Sequence, residues 1–125
     1  MLNNLESFDT PYGQLTAINR DLGIDVKRIF YIKDVPSGDT RGNHAHRKNT
    51  QILICMHGEI LITLDDSKSK KEILLKEGQS LMINRMTWAT QRYTTGKDIL
   101  LVLCSEEYNE DDYIRQYEQF LKEAK

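Results

Sequence analysis

The sequence predicts a mainly β domain, a sandwich or barrel finished by a C-terminal α-helix. Three observations predict it. Short apolar or alternating runs recur at roughly 8 to 12 residues, the spacing of all-β domains. The runs are rich in β-branched residues and are parted by Gly, Asp, Ser and Pro turns. The period changes towards 3.6 only after Asn109.

In chain order, "LTAI" from Leu15 opens the series, and "VKRIFYI" follows, ended by the turn "PSGD". The runs "QILICM" and "EILITL" flank His57 and Gly58, which reads as a hairpin. "KEILLK" and "SLMI" flank "EG", and "DILLVLC" follows the turn "TTGKD". The last stretch, "YNEDDYIRQYEQFLKEAK", carries Asn109 as a cap, Glu110, Asp111 and Asp112 in a first turn, and lysines at its end, all of which complement a helix dipole. Tyr113, Tyr117, Phe120 and Ala124 then share the face that packs on the barrel.

Composition bounds the function. A chain of 125 residues with 39% hydrophobic and 29% charged residues builds one core and is expected to be a single domain, residues 1–125. A net charge of -2 offers no basic face to a nucleic-acid backbone, and Lys68, Lys70 and Lys71 read as a solvated turn. No apolar stretch approaches the roughly 20 residues of a membrane span, and "MLNNLESFDT" lacks a leader pattern, so a cytoplasmic protein is expected. Cys55 and Cys104 lie inside apolar runs and read as buried free thiols.

The chemistry concentrates in "RGNHAHRKNTQ", Arg41 to Gln51. Residues i and i+2 of a strand point the same way, so His44 and His46 project together. Such a pair can hold a metal, move a proton or fill space, and Gly42 and Arg41 beside it favour a functional site. His57, next to Gly58, reads as a solvent-facing turn residue.

"HAHRKNTQILICMHG" and "GQSLMINRMTWA" resemble the two cupin motifs, H-x-H-x(3,4)-E-x(6)-G and G-x(5)-P-x-G-x(2)-H, which implies a cupin-type β-barrel or jelly roll. In metal-binding cupins both histidines, the glutamate and the last histidine hold one metal. Here Gln51 and Ala89 stand at the latter two positions, so no metal is expected. Histidine remains suited to proton transfer near neutral pH.

Read together, "RIFYI", "RGNHAHRKNTQILIC", "LDD" and "DDYIRQYEQFL" resemble the dTDP-sugar 3,4-ketoisomerases, from about Asp9 to Leu121. The resemblance implies an isomerase that takes dTDP-4-oxo-6-deoxyglucose to a dTDP-3-oxo-6-deoxyhexose with no cofactor. It also implies a homodimer with exchanged N-terminal strands. It carries the catalytic role to His44 and His46, with His44 as base and His46 as partner or shuttle. Arg28 and Arg41 match arginines suited to the diphosphate, and Tyr31 is a further substrate-binding candidate. Relatives forming the galacto product carry D-x-R-G and W-H-E-M-H where this chain has "DTPYG" and "WATQR". Tyr12 and Arg92 therefore point to the gluco product. The competing readings are a 3,5-epimerase on the same substrate, a non-catalytic sugar-nucleotide-binding cupin and a metal-dependent cupin oxygenase.

Overall fold

Side-chain alternation decides which face of each strand is buried. In Glu59–Asp65 the residues Ile60, Ile62 and Leu64 are buried, while Glu59 is exposed and Leu61 and Thr63 are partly covered. The computed structural model describes residues 2–19 and 22–125. Its strands are β1 (Leu2–Asn4), β2 (Glu6–Thr10), β3 (Gly13–Ala17), β4 (Arg28–Ile32), β5 (Thr40–His46) and β6 (Gln51–His57). They continue with β7 (Glu59–Asp65), β8 (Lys70–Lys76), β9 (Gln79–Ile83), β10 (Trp88–Tyr93), β11 (Ile99–Cys104) and β12 (Tyr113–Ile114). A 3-10 turn, Glu110–Asp112, precedes β12, and the helix α1 (Tyr117–Glu123) follows it.

Two five-stranded sheets face each other, ordered β1-β9-β6-β11-β4 and β12-β5-β10-β7-β8, with β2-β3 as a separate hairpin. This is the mainly β, jelly-roll architecture the sequence predicts, with its C-terminal helix. Leu53, Leu81, Leu100 and Val102 from one sheet meet Ile60, Ile62, Leu75 and Tyr93 from the other in one core. Each such side chain contributes roughly 1.5 to 3 kcal/mol by leaving water. The unbroken apolar run of β6 has its own cause. Ile52 and Ile54 point out of the sandwich, where Leu5, Leu22, Ile24 and Met82 pack against them, so both faces of the strand are buried.

The hairpin of β6 and β7 turns at Gly58, whose φ of 87° and contact with Asp98 leave no room for a side chain. His57 lies in the exposed part of that hairpin and pairs with Glu77 at 2.9 Å. Cys55 and Cys104 are free and buried, and burial pushes the Cys55 thiol up to about 12.

The chain end differs from the expected helix. Asn109 does cap, accepting from the Asp111 amide, but it caps only the 3-10 turn. Tyr113 and Ile114 then extend to pair with His46 and Ala45 of β5, and α1 begins at Tyr117. The open edge of β5 supplies backbone partners that outweigh the helical propensity of an acidic first turn. Phe120 and Ile114 pack with Ala45 as a second small core, whereas Tyr113 is turned to the histidines. Among the described residues, no helix is long and apolar enough to cross a membrane.

Candidate active site

The site forms where β5 runs between β10 and β12. Gly42 and Asn43 both have positive φ, 95° and 58°, and the pairing of β5 with β10 slips there, Ala89 facing His44 and Thr90 facing Gly42. A Cβ on Gly42 would sit 2.9 Å from the Ala89 carbonyl oxygen, so the glycine before the histidines is required by close approach. Beyond this bulge, His44 and His46 project together, ring centroids 4.9 Å apart and planes at 87°.

Each ring is oriented through its Nδ1. His44 donates from Nδ1 to the Gly42 carbonyl at 3.1 Å. His46 donates to the Asp112 carboxylate at 3.2 Å. Asp112 itself accepts the backbone N–H of Lys48 at 2.7 Å and of Asn49 at 3.2 Å. An acceptor at Nδ1 fixes the proton there and leaves the lone pair on Nε2. His46 Nε2 is buried with no hydrogen-bond partner among the described residues. Burial lowers the pKa of both imidazoles; the second cause at His46 is the neighbouring His44, and together they bring it down to about 4 despite Asp112. Both rings are therefore neutral bases near pH 7.

His44 lines a cavity of about 590 Å3 together with Arg28, Tyr31, Arg41, Tyr113 and Arg115, and among the described residues no carboxylate lines it. A cavity with three guanidinium groups and no acid suits an anionic ligand. Arg28 packs over Phe30 at 4.6 Å and Tyr108 at 5.2 Å. Tyr31 is 64% exposed and, by strand parity, on the opposite face of β4 from Arg28, so it belongs to the rim. The structure thus gathers His44, His46, Arg28 and Arg41, with Tyr31 at the edge. It does not bring in the other two predicted residues. Tyr12 is 98% exposed at the tip of the β2-β3 hairpin, and Arg92 is exposed between buried Gln91 and Tyr93.

The four cupin ligand positions, His44, His46, Gln51 and Ala89, do converge on one small void of about 10 Å3. They do not fit a metal. The Gln51 amide donates to Cys104 Sγ at 3.7 Å, Ala89 offers no donor atom, and no group of three His, Cys, Asp or Glu among the described residues could hold an ion. Met86 stands at the motif's glycine position with φ of 58°, and its amide donates to the His46 carbonyl at 2.7 Å. The loop keeps the motif's left-handed backbone without its glycine, at about 1 to 2 kcal/mol.

Sequence reasoning missed Asp112, Tyr113 and Arg115. The segment "DDYIR" was read as helix, so nothing local placed its side chains against β5. Tyr113 touches both histidines, at 5.0 and 4.4 Å between ring centroids, and Arg115 lies 4.3 Å over the Tyr113 ring.

The chain is similar to known proteins over nearly its whole length. The family model described as "FdtA: WxcM-like, C-terminal" matches residues 1–125. The TDP-4-oxo-6-deoxy-alpha-D-glucose-3,4-oxoisomerase of Aneurinibacillus thermoaerophilus is 36% identical over 113 residues, 88% of this chain and 81% of that protein. A 3,4-ketoisomerase from Helicobacter canadensis superposes with a TM-score of 0.93 at 35% identity, covering 99% of this chain and 96% of that one. A sugar 3,4-ketoisomerase from Thermoanaerobacterium thermosaccharolyticum, in complex with TDP, does so with 0.93 at 38% identity, over 99% and 93% of the two chains. A histidine-to-asparagine variant of that enzyme is in complex with TDP-4-keto-6-deoxyglucose. The chain belongs to this FdtA, WxcM-like family of sugar-nucleotide 3,4-ketoisomerases.

Proposed function

We propose that the protein converts dTDP-4-oxo-6-deoxyglucose to dTDP-3-oxo-6-deoxyglucose by histidine-mediated proton transfer through an enediol. One observation carries this reading: two neutral imidazoles, each oriented through Nδ1, stand beside a cavity lined by three arginines and no acid. The substrate class is that of the relatives' complexes.

His44, which lines the cavity, takes the C3 proton on Nε2. The electron pair of that bond forms the C3=C4 double bond, and the C4 carbonyl pair moves to its oxygen. A proton on the C4 oxygen completes the enediol, and protonation at C4 with loss of the C3 hydroxyl proton then gives the 3-oxo-4-hydroxy sugar, without oxidant or metal. His46 supports the charge on its neighbour and relays the proton, its tautomer held by Asp112. Arg28 and Arg41 bind the diphosphate, and Tyr31 closes the rim.

Tyr12 and Arg92 act on stereochemistry only if a second copy carries Tyr12 to the sugar. Support for a homodimer comes from the β2-β3 hairpin, which among the described residues forms a two-stranded sheet of its own and exposes Phe8 and Leu15 opposite each other. β1 stays on β9 of its own chain, so the hairpin is the part of the N-terminus free to be exchanged. We place the enzyme in the cytoplasm. Following the purified protein with dTDP-4-oxo-6-deoxyglucose by NMR tests the function. Migration of the carbonyl to C3 is the expected result. Inversion at C3 or C5 without migration means an epimerase, and binding without turnover means a sugar-nucleotide-binding protein.

A further inference from the structure

The three guanidinium groups of the cavity are not equivalent. Arg28 and Arg41 come from the strands that wall it, whereas Arg115 follows β12 directly. Tyr113 faces His46 and Ile114 faces Ala45, so the next position in that register sets Arg115 beside His44. Its side chain is fixed from two sides. Glu110 accepts from its Nε at 2.7 Å and from a terminal nitrogen at 3.0 Å, and the Tyr113 ring lies under the guanidinium at 4.3 Å. That Tyr113 ring is the one in contact with both imidazoles. A surface ion pair alone would not need this location, and two arginines already suffice for a diphosphate.

We propose that Arg115 is a catalytic residue of the isomerisation, its guanidinium holding the negative charge that develops on the sugar C4 oxygen. The inference rests on the ketoisomerase reading and deepens it. When the C3–H bond breaks, its electrons end on the C4 oxygen, and something must carry the opposite charge there. The histidines begin neutral, and a neutral imidazole with Nδ1–H committed elsewhere has no proton to give at Nε2. Arginine keeps its charge throughout. A guanidinium held in place where charge develops is the arrangement that lowers such a barrier. Arg115 also depresses the pKa of both histidines, which keeps them available as bases.

The test uses Arg115→Gln and Arg115→Lys in the full chain, with turnover of dTDP-4-oxo-6-deoxyglucose, calorimetric affinity for dTDP and thermal midpoints. Arg115→Gln should lower kcat by about a hundredfold to a thousandfold. KM and dTDP affinity should stay within about threefold. The acid limb of the pH profile should move to higher pH, because a cation has been removed from a pair whose other charged or titratable neighbours are Asp112, Glu110, Tyr113 and, around the same cavity, Arg28 and Arg41. Arg115→Lys should retain more turnover than Arg115→Gln. Loss of dTDP affinity with kcat preserved would make Arg115 a diphosphate ligand and overturn the proposal. Unchanged kcat and affinity would overturn it as well, as would equal losses of activity and thermal midpoint in both variants with no movement of the pH profile. A wild-type protein that leaves the carbonyl at C4 would overturn the ketoisomerase reading itself.

Discussion

His46 Nδ1 and Asp112 Oδ2 stand 3.2 Å apart, although 66 positions separate the two residues in the chain. The carboxylate serves three donors at once, His46 and the amides of Lys48 and Asn49. It therefore fixes the histidine's tautomer and the loop after β5 together.

Asp112→Asn should separate these roles in part. The amide has one acceptor oxygen for three donors, so a buried N–H or ring nitrogen loses its partner, at about 1 to 3 kcal/mol. A lower thermal midpoint and a kcat reduced by about a hundredfold or more are expected, since His46 is freed to take the wrong tautomer. Unchanged kcat in the folded variant would remove Asp112 from the mechanism.

His44→Asn should abolish exchange of the C3 hydrogen with solvent deuterium and cut turnover by about a hundredfold to ten-thousandfold, with dTDP affinity nearly intact. His46→Asn should slow turnover and leave residual exchange. Arg41→Ala should weaken dTDP binding. If His46→Asn rather than His44→Asn stops the exchange, the two histidines trade roles.

Stability should fall with pH in a defined window. An unfolded chain protonates His46 near its ordinary 6.5, whereas the folded chain resists until about 4. The unfolded state thus binds more protons between these values, and stability is full above about 6.5 and declines as pH drops towards about 4. His44 shifts in the same direction. A thermal-midpoint series from pH 7 to 4 should show this slope, and His46→Asn should flatten it.

Chelation should leave activity intact, and metal analysis should find no stoichiometric ion. The reason is the donor chemistry of Gln51 and Ala89. One ion per chain, lost together with activity, would reverse this reading.

Tyr12→Arg combined with Arg92→His should shift the product from the gluco towards the galacto epimer, and each single change should do less. The C4 configuration of the trapped product is the readout. A wild-type galacto product would overturn the stereochemical reading of "DTPYG" and "WATQR".

Much of the fold was legible because the strands announce themselves locally. β7 alternates, Gly58 marks its hairpin, and the two histidines are close enough in sequence for strand parity to pair them. Asp112, Tyr113 and Arg115 were not legible as site residues. Their acidic, tyrosine-rich stretch satisfies helix-start rules, and only the free edge of β5, a tertiary partner, draws Tyr113 and Ile114 into a strand. Tyr12 is the converse case, singled out from sequence yet remote from the cavity of its own chain.

The late position of Asp112, Tyr113 and Arg115 also orders events during synthesis. A chain leaving the ribosome presents both halves of the sandwich, from β1 to β11, before the segment that meets the histidines has emerged. β12 is an edge strand at the end of the chain, and until it arrives His46 lacks its carboxylate partner. Arg47, which follows His46 and grips Glu123 through two hydrogen bonds at 2.8 Å, then latches the arriving tail. The His46–Asp112 pair is therefore completed last, and a chain cut short after β11 would lack the carboxylate, the Tyr113 ring and the Arg115 guanidinium together.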